Sequence, residues 1–284
     1  MDPTTTPSFE VAPRQGETPH DGDVPILELV GVHKSFGSQH VLRGIDLQIA
    51  AGLTTVIIGG SGSGKSVLVK HLIGLLQPDR GQVLFHGNDV TRMSPTEFHS
   101  MRTRFGMLFQ SGALFDSMTV YDNVAFPLRE HRGNLGREAE RASVLGSLEA
   151  LNLHGIEGKF PSELSGGMRK RVALARATIL EPEIIIYDEP TTGLDPVMIK
   201  QVDDMIAETS ERLKVTSVVI SHDMASTFRI AHRVAMLHQG QIIASGTPED
   251  LMASRDPTVR NFIFVSGTGP LQTPAAGARP GAAP

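Results

Sequence analysis

The sequence predicts an α/β fold built on a parallel sheet. Three observations carry that prediction. The run 54–58, Thr-Thr-Val-Ile-Ile, is β-branched and uncharged, which suits a buried strand. It leads directly into Gly59-Gly60-Ser61-Gly62-Ser63-Gly64-Lys65-Ser66, which fits the phosphate-binding pattern G-x-x-x-x-G-K-[ST], and then into a helical stretch with one apolar face, 67–73. Two further β-branched runs, 183–189 and 215–220, each end in polar, chemically capable residues, with helix-forming stretches between the runs.

Composition sets limits. The chain has 284 residues, 40 % of them hydrophobic, enough for one large domain or two small ones with a sizeable core. The net charge of −5 does not point to nucleic acid. The absence of cysteine excludes disulfide scaffolds and thiolate metal sites and fits a reducing compartment. No stretch approaches the roughly 20 apolar residues of a membrane span. Residues 1–23 lack the basic start and apolar stretch of a signal peptide, so the chain is expected in the cytoplasm, with any membrane role supplied by a partner. The eleven histidines are scattered, so a metal ion is expected to arrive with a nucleotide.

Residues 1–24 read as a disordered arm, rich in Thr, Pro and acids. Strand patterns follow at 26–30 and 41–49, with a turn expected at Lys34-Ser35-Phe36-Gly37. Phe36 is either an aromatic face for an adenine ring or a core anchor. In the loop, closely spaced glycines let backbone N–H groups turn inward at a helix mouth, Lys65 adds a full positive charge, and Ser66 offers a hard oxygen for Mg²⁺. A stop and turn at 77–81 precedes a short strand at 82–87. A buried strand is expected over 105–109, ending at Gln110. Residues 111–161 read as a helical insertion between two halves of the core, with helix-forming residues at 137–141 and over 142–153.

Leu164-Ser165-Gly166-Gly167-Met168 then opens a basic helix, Arg169 to Arg176. Its cations alone suggest a solvated face or a nucleic-acid patch. Val172, Leu174, Ala175 and Ile179 give it an apolar side, and the Ser-Gly-Gly start makes its N-terminus a second anion site. The strand over 183–189 ends in Asp188 and Glu189. Asp188 is placed to hold Mg²⁺, and Glu189 to orient or deprotonate an attacking water. An amphipathic helix is expected over 197–213. The strand 215–220 ends at Ser221-His222-Asp223, where ligands bind in open α/β sheets. A hairpin through Gln239-Gly240 and a last helix capped by Thr247 complete the core. The tail from Gly267, rich in Pro, Ala, Gly and Thr, is expected to be disordered.

The phosphate loop at 59–66, Gln110, Leu-Ser-Gly-Gly-Met at 164–168, the strand and its acids at 184–189, Gly-Leu-Asp at 193–195 and His222 come in an order that resembles that of the ATP-binding cassette (ABC) ATPases, over roughly residues 25–254. The resemblance implies a P-loop NTPase fold with a RecA-like parallel-sheet core, an antiparallel β subdomain and an α-helical subdomain at about 111–161. A C-terminal extension would follow over 255–284. It implies that Gly59, Gly60, Ser61, Gly62, Ser63, Gly64, Lys65, Ser66, Val67 and Phe36 bind ATP. Ser66, Gln110 and Asp188 would attend Mg²⁺. Glu189, His222, Gln110 and Lys65 would serve catalysis, with His222 at the γ-phosphate. Ser165, Gly166 and Gly167 would bind the ATP of a second copy, so that nucleotide glues an isologous dimer with Asp195 at its seam. The usual signature ends in Gln where this chain has Met168, and a thioether cannot replace the amide's hydrogen bonds, so closure is expected to be slightly altered.

Within that family, residues 105–120, 123–128, 166–171 and 256–262 resemble the ATPases of MCE-type lipid transporters, the maintenance-of-lipid-asymmetry (Mla) group. The resemblance implies a peripheral subunit on the cytoplasmic side of the inner membrane. Its partners would be a second copy, an integral permease and an MCE-type substrate-binding protein, with no nucleic acid. Leu108, Leu114, Phe115 and Met118 are either an apolar socket for the permease beside Gln110 or core residues. Lipoprotein release or small-solute import would use the same catalytic residues. Non-transport ABC ATPases fit poorly, because Lys65 and Asp188 lie too close for an intervening coiled coil and there is a single cassette.

Overall fold

The computed structural model describes residues 25–110 and 112–268; the expected disorder of 1–24 and of the tail beyond 268 lies outside the described residues. Two sheets form. The first is antiparallel, with order β2-β1-β4-β5, from β1 (Pro25–Phe36), β2 (Gln39–Ala50), β4 (Arg80–Phe85) and β5 (Asn88–Asp89). The second has order β10-β9-β3-β8-β7-β6, from β3 (Thr54–Ile58), β6 (Phe105–Leu108), β7 (Ile184–Asp188), β8 (Thr216–Ser221), β9 (Arg233–His238) and β10 (Gln241–Gly246). Its strands run parallel except the edge strand β10.

The helices are α1 (Lys65–Leu72), α2 (Pro95–Arg102), α3 (Val120–His131), α4 (Arg137–Glu149), α5 (Gly166–Thr178), α6 (Pro196–Leu213), α7 (Met224–Ile230), α8 (Pro248–Met252) and α9 (Pro257–Ile263), the last continued by a π-helical turn, Phe264–Thr268. They explain why the central strands are apolar throughout. Along β7, Ile185 and Tyr187 join one hydrophobic cluster with α3 to α7, while Ile184 and Ile186 join a second with α1 and the antiparallel sheet. A parallel strand covered on both faces has no polar side to show. The two sheets meet where Arg43 N donates to Gly240 O at 2.8 Å. Gly240 sits at φ +79, and a Cβ there would lie 2.3 Å from Val41 O, so only glycine permits the join.

The structure changes several expectations. Lys34, Ser35 and Phe36 belong to β1, and the turn shrinks to Gly37-Ser38, because the β1–β2 pairing runs on to Phe36↔Gln39. Strand β6 stops at Leu108, and Phe109 is exposed rather than buried. Helix α4 ends at Glu149, short of 153, because Asn152 takes a left-handed conformation (φ 55). Helix α2 escaped the sequence reading, although Ser94 and Glu97 form a reciprocal capping box ahead of it; so did α7, capped by Asp223. Helix α5, beyond residue 161, packs on α3 and α4 as well as on β6.

Candidate functional site

The parallel strands deliver the candidate residues to one edge of the sheet. The glycine-rich loop follows β3, His222 follows β8, Asp188 ends β7 with Glu189 just beyond it, and Gln110 follows β6 by two residues. All are carboxyl ends of neighbouring parallel strands, the usual ligand edge of an open α/β sheet. A cleft of about 690 Å³ opens there, lined by Phe36, Gln39, Val41, Ser61, Gly62, Gly64, Lys65, Ser66, Val67, Glu189 and His222.

The loop is shaped by packing beneath it and openness above it. A Cβ at Gly59 would lie 2.2 Å from Leu237 O, whereas Cβ atoms at Gly60 or Gly62 would meet nothing within 4 Å. Gly64, at φ +110, caps α1, so the helix opens directly from the loop. Ser63 Oγ is buried without a hydrogen-bond partner. Lys65 is 7 % exposed, and its ammonium donates to Gly59 O (2.7 Å) and Gly60 O (3.1 Å). Burial lowers the Lys65 pKa, against the pull of the Glu189 and Asp188 carboxylates. Asp188 is shifted the other way: burial and then the charge of Glu189 raise its pKa, while Lys65 lowers it.

Glu189 stands in a left-handed conformation, φ 47. Its amide donates to Ile220 O (3.0 Å) and its carboxylate accepts from Thr192 Oγ1 (2.9 Å). His222 Nδ1 lies 3.5 Å from the same carboxylate oxygen. Phe36 is 49 % exposed on the cleft wall, so it is not a core anchor. Gln39 and Val41, beside it, were missed by sequence reasoning, because nothing in a strand pattern marks which exposed residues face a cleft. Thr192 carried a legible signal: a hydroxyl three residues after an acid in a turn.

Other candidates lie apart from the cleft lining. Ser165, Gly166 and Gly167 open α5; Ser165 Oγ accepts from Met168 N at 3.3 Å, and both Ser165 and Gly166 are exposed. Met168 packs against the hydrophobic core, so at this position the thioether serves as an apolar contact. Asp195 caps α6 through Val197 N and Met198 N, both 3.0 Å. Gln110 is exposed. Of the four socket residues, Leu108 is 1 % exposed and belongs to the core, Leu114 packs against it and Met118 is part-buried; Phe115 is 41 % exposed and meets the Phe126 ring at a tilt of 58°. The cations of α5 are tied to the fold: Arg169, Lys170, Arg171 and Arg176 all donate to backbone carbonyls, with Arg169 exposed and the other three part-buried.

Comparison with known proteins identifies the family. The ABC transporter family profile matches residues 42–192. The chain is 43 % identical over 255 residues to the probable ribonucleotide transport ATP-binding protein mkl of Mycobacterium leprae, covering 88 % of this chain and 73 % of that one. It is 41 % identical over 246 residues to the intermembrane phospholipid transport system ATP-binding protein MlaF of Escherichia coli K12, covering 87 % and 91 %. Among solved structures, cbiO1 of Clostridium perfringens, part of an ABC transporter complex, superposes with a TM-score of 0.75 at 29 % identity, covering 86 % of this chain and 95 % of that one. The ATP-binding cassette MJ0796, dimeric and bound to ADP and Pi, superposes with a TM-score of 0.69 at 29 % identity, covering 78 % and 98 %. With its antiparallel sheet, parallel core sheet and phosphate-loop cleft, the chain belongs to the ABC transporter family, as an ATP-binding and ATP-hydrolysing cassette.

Proposed function

We propose that this chain energises phospholipid movement between membranes, as the ATPase subunit of an MCE-type transporter. The observation that carries the cargo assignment is the 41 % identity, over 91 % of its length, to a protein named for intermembrane phospholipid transport. The relatives named for ribonucleotide transport supply the rival cargo. Among the described residues no helix is long and apolar enough to cross a membrane, so the membrane step falls to a permease partner.

The cleft supports a phosphoryl-transfer mechanism in which positioning and charge neutralisation do the catalysis. Gly60 to Val67 cradle the phosphates, and Lys65 brings its positive charge beneath them. Phe36 stacks on the adenine. Glu189, oriented by Thr192, accepts a proton from the attacking water as the water oxygen bonds to the γ-phosphorus, while the bond from that phosphorus to the β,γ-bridging oxygen breaks and ADP leaves with its electron pair. His222 donates to the γ-phosphate. The adjacent carboxylates of Asp188 and Glu189, with the Asp188 pKa raised by burial and by its neighbour, suit a divalent cation. Ser66, Asp188 and Gln110 would hold Mg²⁺, which when bound neutralises charge on the β- and γ-phosphates. The exposed N-terminus of α5, with Ser165, Gly166 and Gly167, is set to complete the site of a second copy, as an ATP-closed dimer requires.

The test is affinity purification of the tagged chain from detergent-solubilised native membranes, with mass spectrometry of protein and lipid. Recovery of a permease, an MCE-type substrate-binding protein and phospholipid is the expected result. A different permease without lipid would overturn the cargo and keep the transporter ATPase. No membrane partner at all would move the chain to a non-transport role.

A further inference from the structure

Helix α5 carries four cations, and among the described residues none of them pairs with a carboxylate. Arg169 donates to Leu164 O (2.7 Å), Arg171 to Leu151 O (3.4 Å), and Arg176 to Ala113 O (2.8 Å) and Gly112 O (3.0 Å). Lys170 Nζ donates to Pro190 O. Lys170 is the member that reaches the chain next to Glu189. Its ammonium is half-buried, and burial alone lowers its pKa. An ammonium drawn out of water without a counter-charge is costly, so a carbonyl that uses its donor offsets part of that cost.

The carbonyl it holds matters for a second reason. Glu189 sits at φ 47, a conformation that a non-glycine residue keeps only when its surroundings enforce it. On one side the enforcement is Glu189 N to Ile220 O (3.0 Å). On the other, Thr192 N reaches Glu189 O at 3.3 Å, longer than a good amide bond. Between them lies Pro190, which has no N–H, so its carbonyl is the one backbone polar group through which that residue can be fixed. Lys170 fixes it, from a helix that is itself rigidly packed on α3, α4 and β6.

We propose that Lys170 is a positioning residue for Glu189: by gripping the Pro190 carbonyl from α5, it holds the left-handed Glu189 backbone so that the carboxylate points into the phosphate-loop cleft. This rests on the reading of Glu189 as the residue that deprotonates the attacking water. Lys170 lies on the helix whose N-terminus is set to meet a second copy's nucleotide. The grip therefore ties the orientation of one chain's base to the seating of the same chain's signature helix.

The experiment uses the full-length chain and four variants: Lys170→Met, which keeps the stem and removes the donor; Lys170→Arg, which restores one; Glu189→Gln; and Lys170→Met with Glu189→Gln. ATP turnover, KM, melting temperature and single-turnover rates are measured. A misplacement near 1 Å costs on the order of 100-fold, so kcat of Lys170→Met should fall about 10- to 100-fold with KM and melting temperature unchanged. Lys170→Arg should recover most of the loss. In single turnover the double variant should be no slower than Glu189→Gln alone, because a residue acting through Glu189 has nothing left to position. Should Lys170→Met not fold, Lys170→Leu, which also lacks a donor, is read in the same way. Wild-type kcat in Lys170→Met, no recovery with Arg, or a loss that adds in full to that of Glu189→Gln would each overturn the proposal and leave the Glu189 assignment standing. Full turnover in Glu189→Gln would instead remove the base assignment itself.

Discussion

His222 Nδ1 lies 3.5 Å from Glu189 Oε2, and the same carboxylate oxygen accepts from Thr192 Oγ1 at 2.9 Å. The two side chains come from the ends of adjacent strands, β8 and β7, and both line the cleft of the phosphate loop. A carboxylate held by a hydroxyl, with an imidazole close beside it, has a defined direction, which is what a group that orients a water needs.

Replacing Glu189 by Gln keeps the shape and removes the base. ATP hydrolysis should fall about 100- to 10,000-fold, the range for loss of general-base assistance, with nucleotide affinity retained. Light scattering in ATP should show a trapped dimer. A variant that stays monomeric and fully active would sink both the base assignment and the second-copy site.

Lys65→Ala removes the buried cation that donates to Gly59 and Gly60. Binding of ATP at micromolar nucleotide should be lost, as read by titration with a fluorescent analogue. Undiminished affinity would refute the phosphate-loop role.

Phe36 is 49 % exposed, so its ring contributes little to the core. Base–aromatic stacking is worth about 1–3 kcal/mol, so Phe36→Ala should weaken ATP binding by about 5- to 150-fold. Phe36→Tyr should bind as the parent does, and neither change should shift the melting temperature appreciably. Equal affinities for Phe36→Ala and the parent, in calorimetric titration, would exclude stacking.

Asp203, 0 % exposed, accepts from Ser226 Oγ and from Arg229, joining α6 to α7. Breaking a buried ion pair costs about 3–5 kcal/mol, and the low end applies because Arg229 is 41 % exposed and can turn to water. Asp203→Ala should therefore lower the melting temperature by roughly 5–10 °C, measured by scanning calorimetry. An unchanged melting temperature would mean that the pair contributes no net stability.

His71 is fully buried on α1; Nδ1 donates to Val67 O at 2.7 Å, and Nε2 has no hydrogen-bond partner. Burial lowers its pKa below the ordinary 6.5, against the favourable Val67 bond. Between that lowered value and about 6.5 the unfolded chain binds the extra proton and the folded chain does not. Stability should therefore fall as pH drops below about 6.5 and level off beneath the folded value. Denaturant melts from pH 7.5 to 5 should show a shallower slope for His71→Leu; parallel curves would refute the effect.

Some elements were legible because their chemistry is local. The phosphate loop is eight consecutive residues whose glycines, lysine and serine each act on the backbone or ligand beside them. The β-branched runs became β3, β7 and β8 because a strand covered on both faces must be apolar throughout. The hairpin at Gln239-Gly240 formed because both residues take positive φ, the turn that matches strand twist. Boundaries were harder: Phe36 and Phe109 were misplaced by a few residues, since cross-strand pairing, not local pattern, decides where a strand stops.

The sequence by itself therefore determined the order and identity of the motifs, the α/β class and the resemblance to ABC ATPases. Only the tertiary structure decided which of those residues share a cleft. Strand order 3-8-7-6 brings Glu189 and His222 beside a loop more than 100 residues upstream, and no periodicity encodes that order. It also decided that Leu108 faces the core while Phe115 faces outward, and that Lys170 spends its charge on Pro190 rather than on solvent. The physical reason is range. Backbone conformation answers to neighbours a few residues away, whereas a side chain's partner is set by whatever the packed sheet and helices place against it.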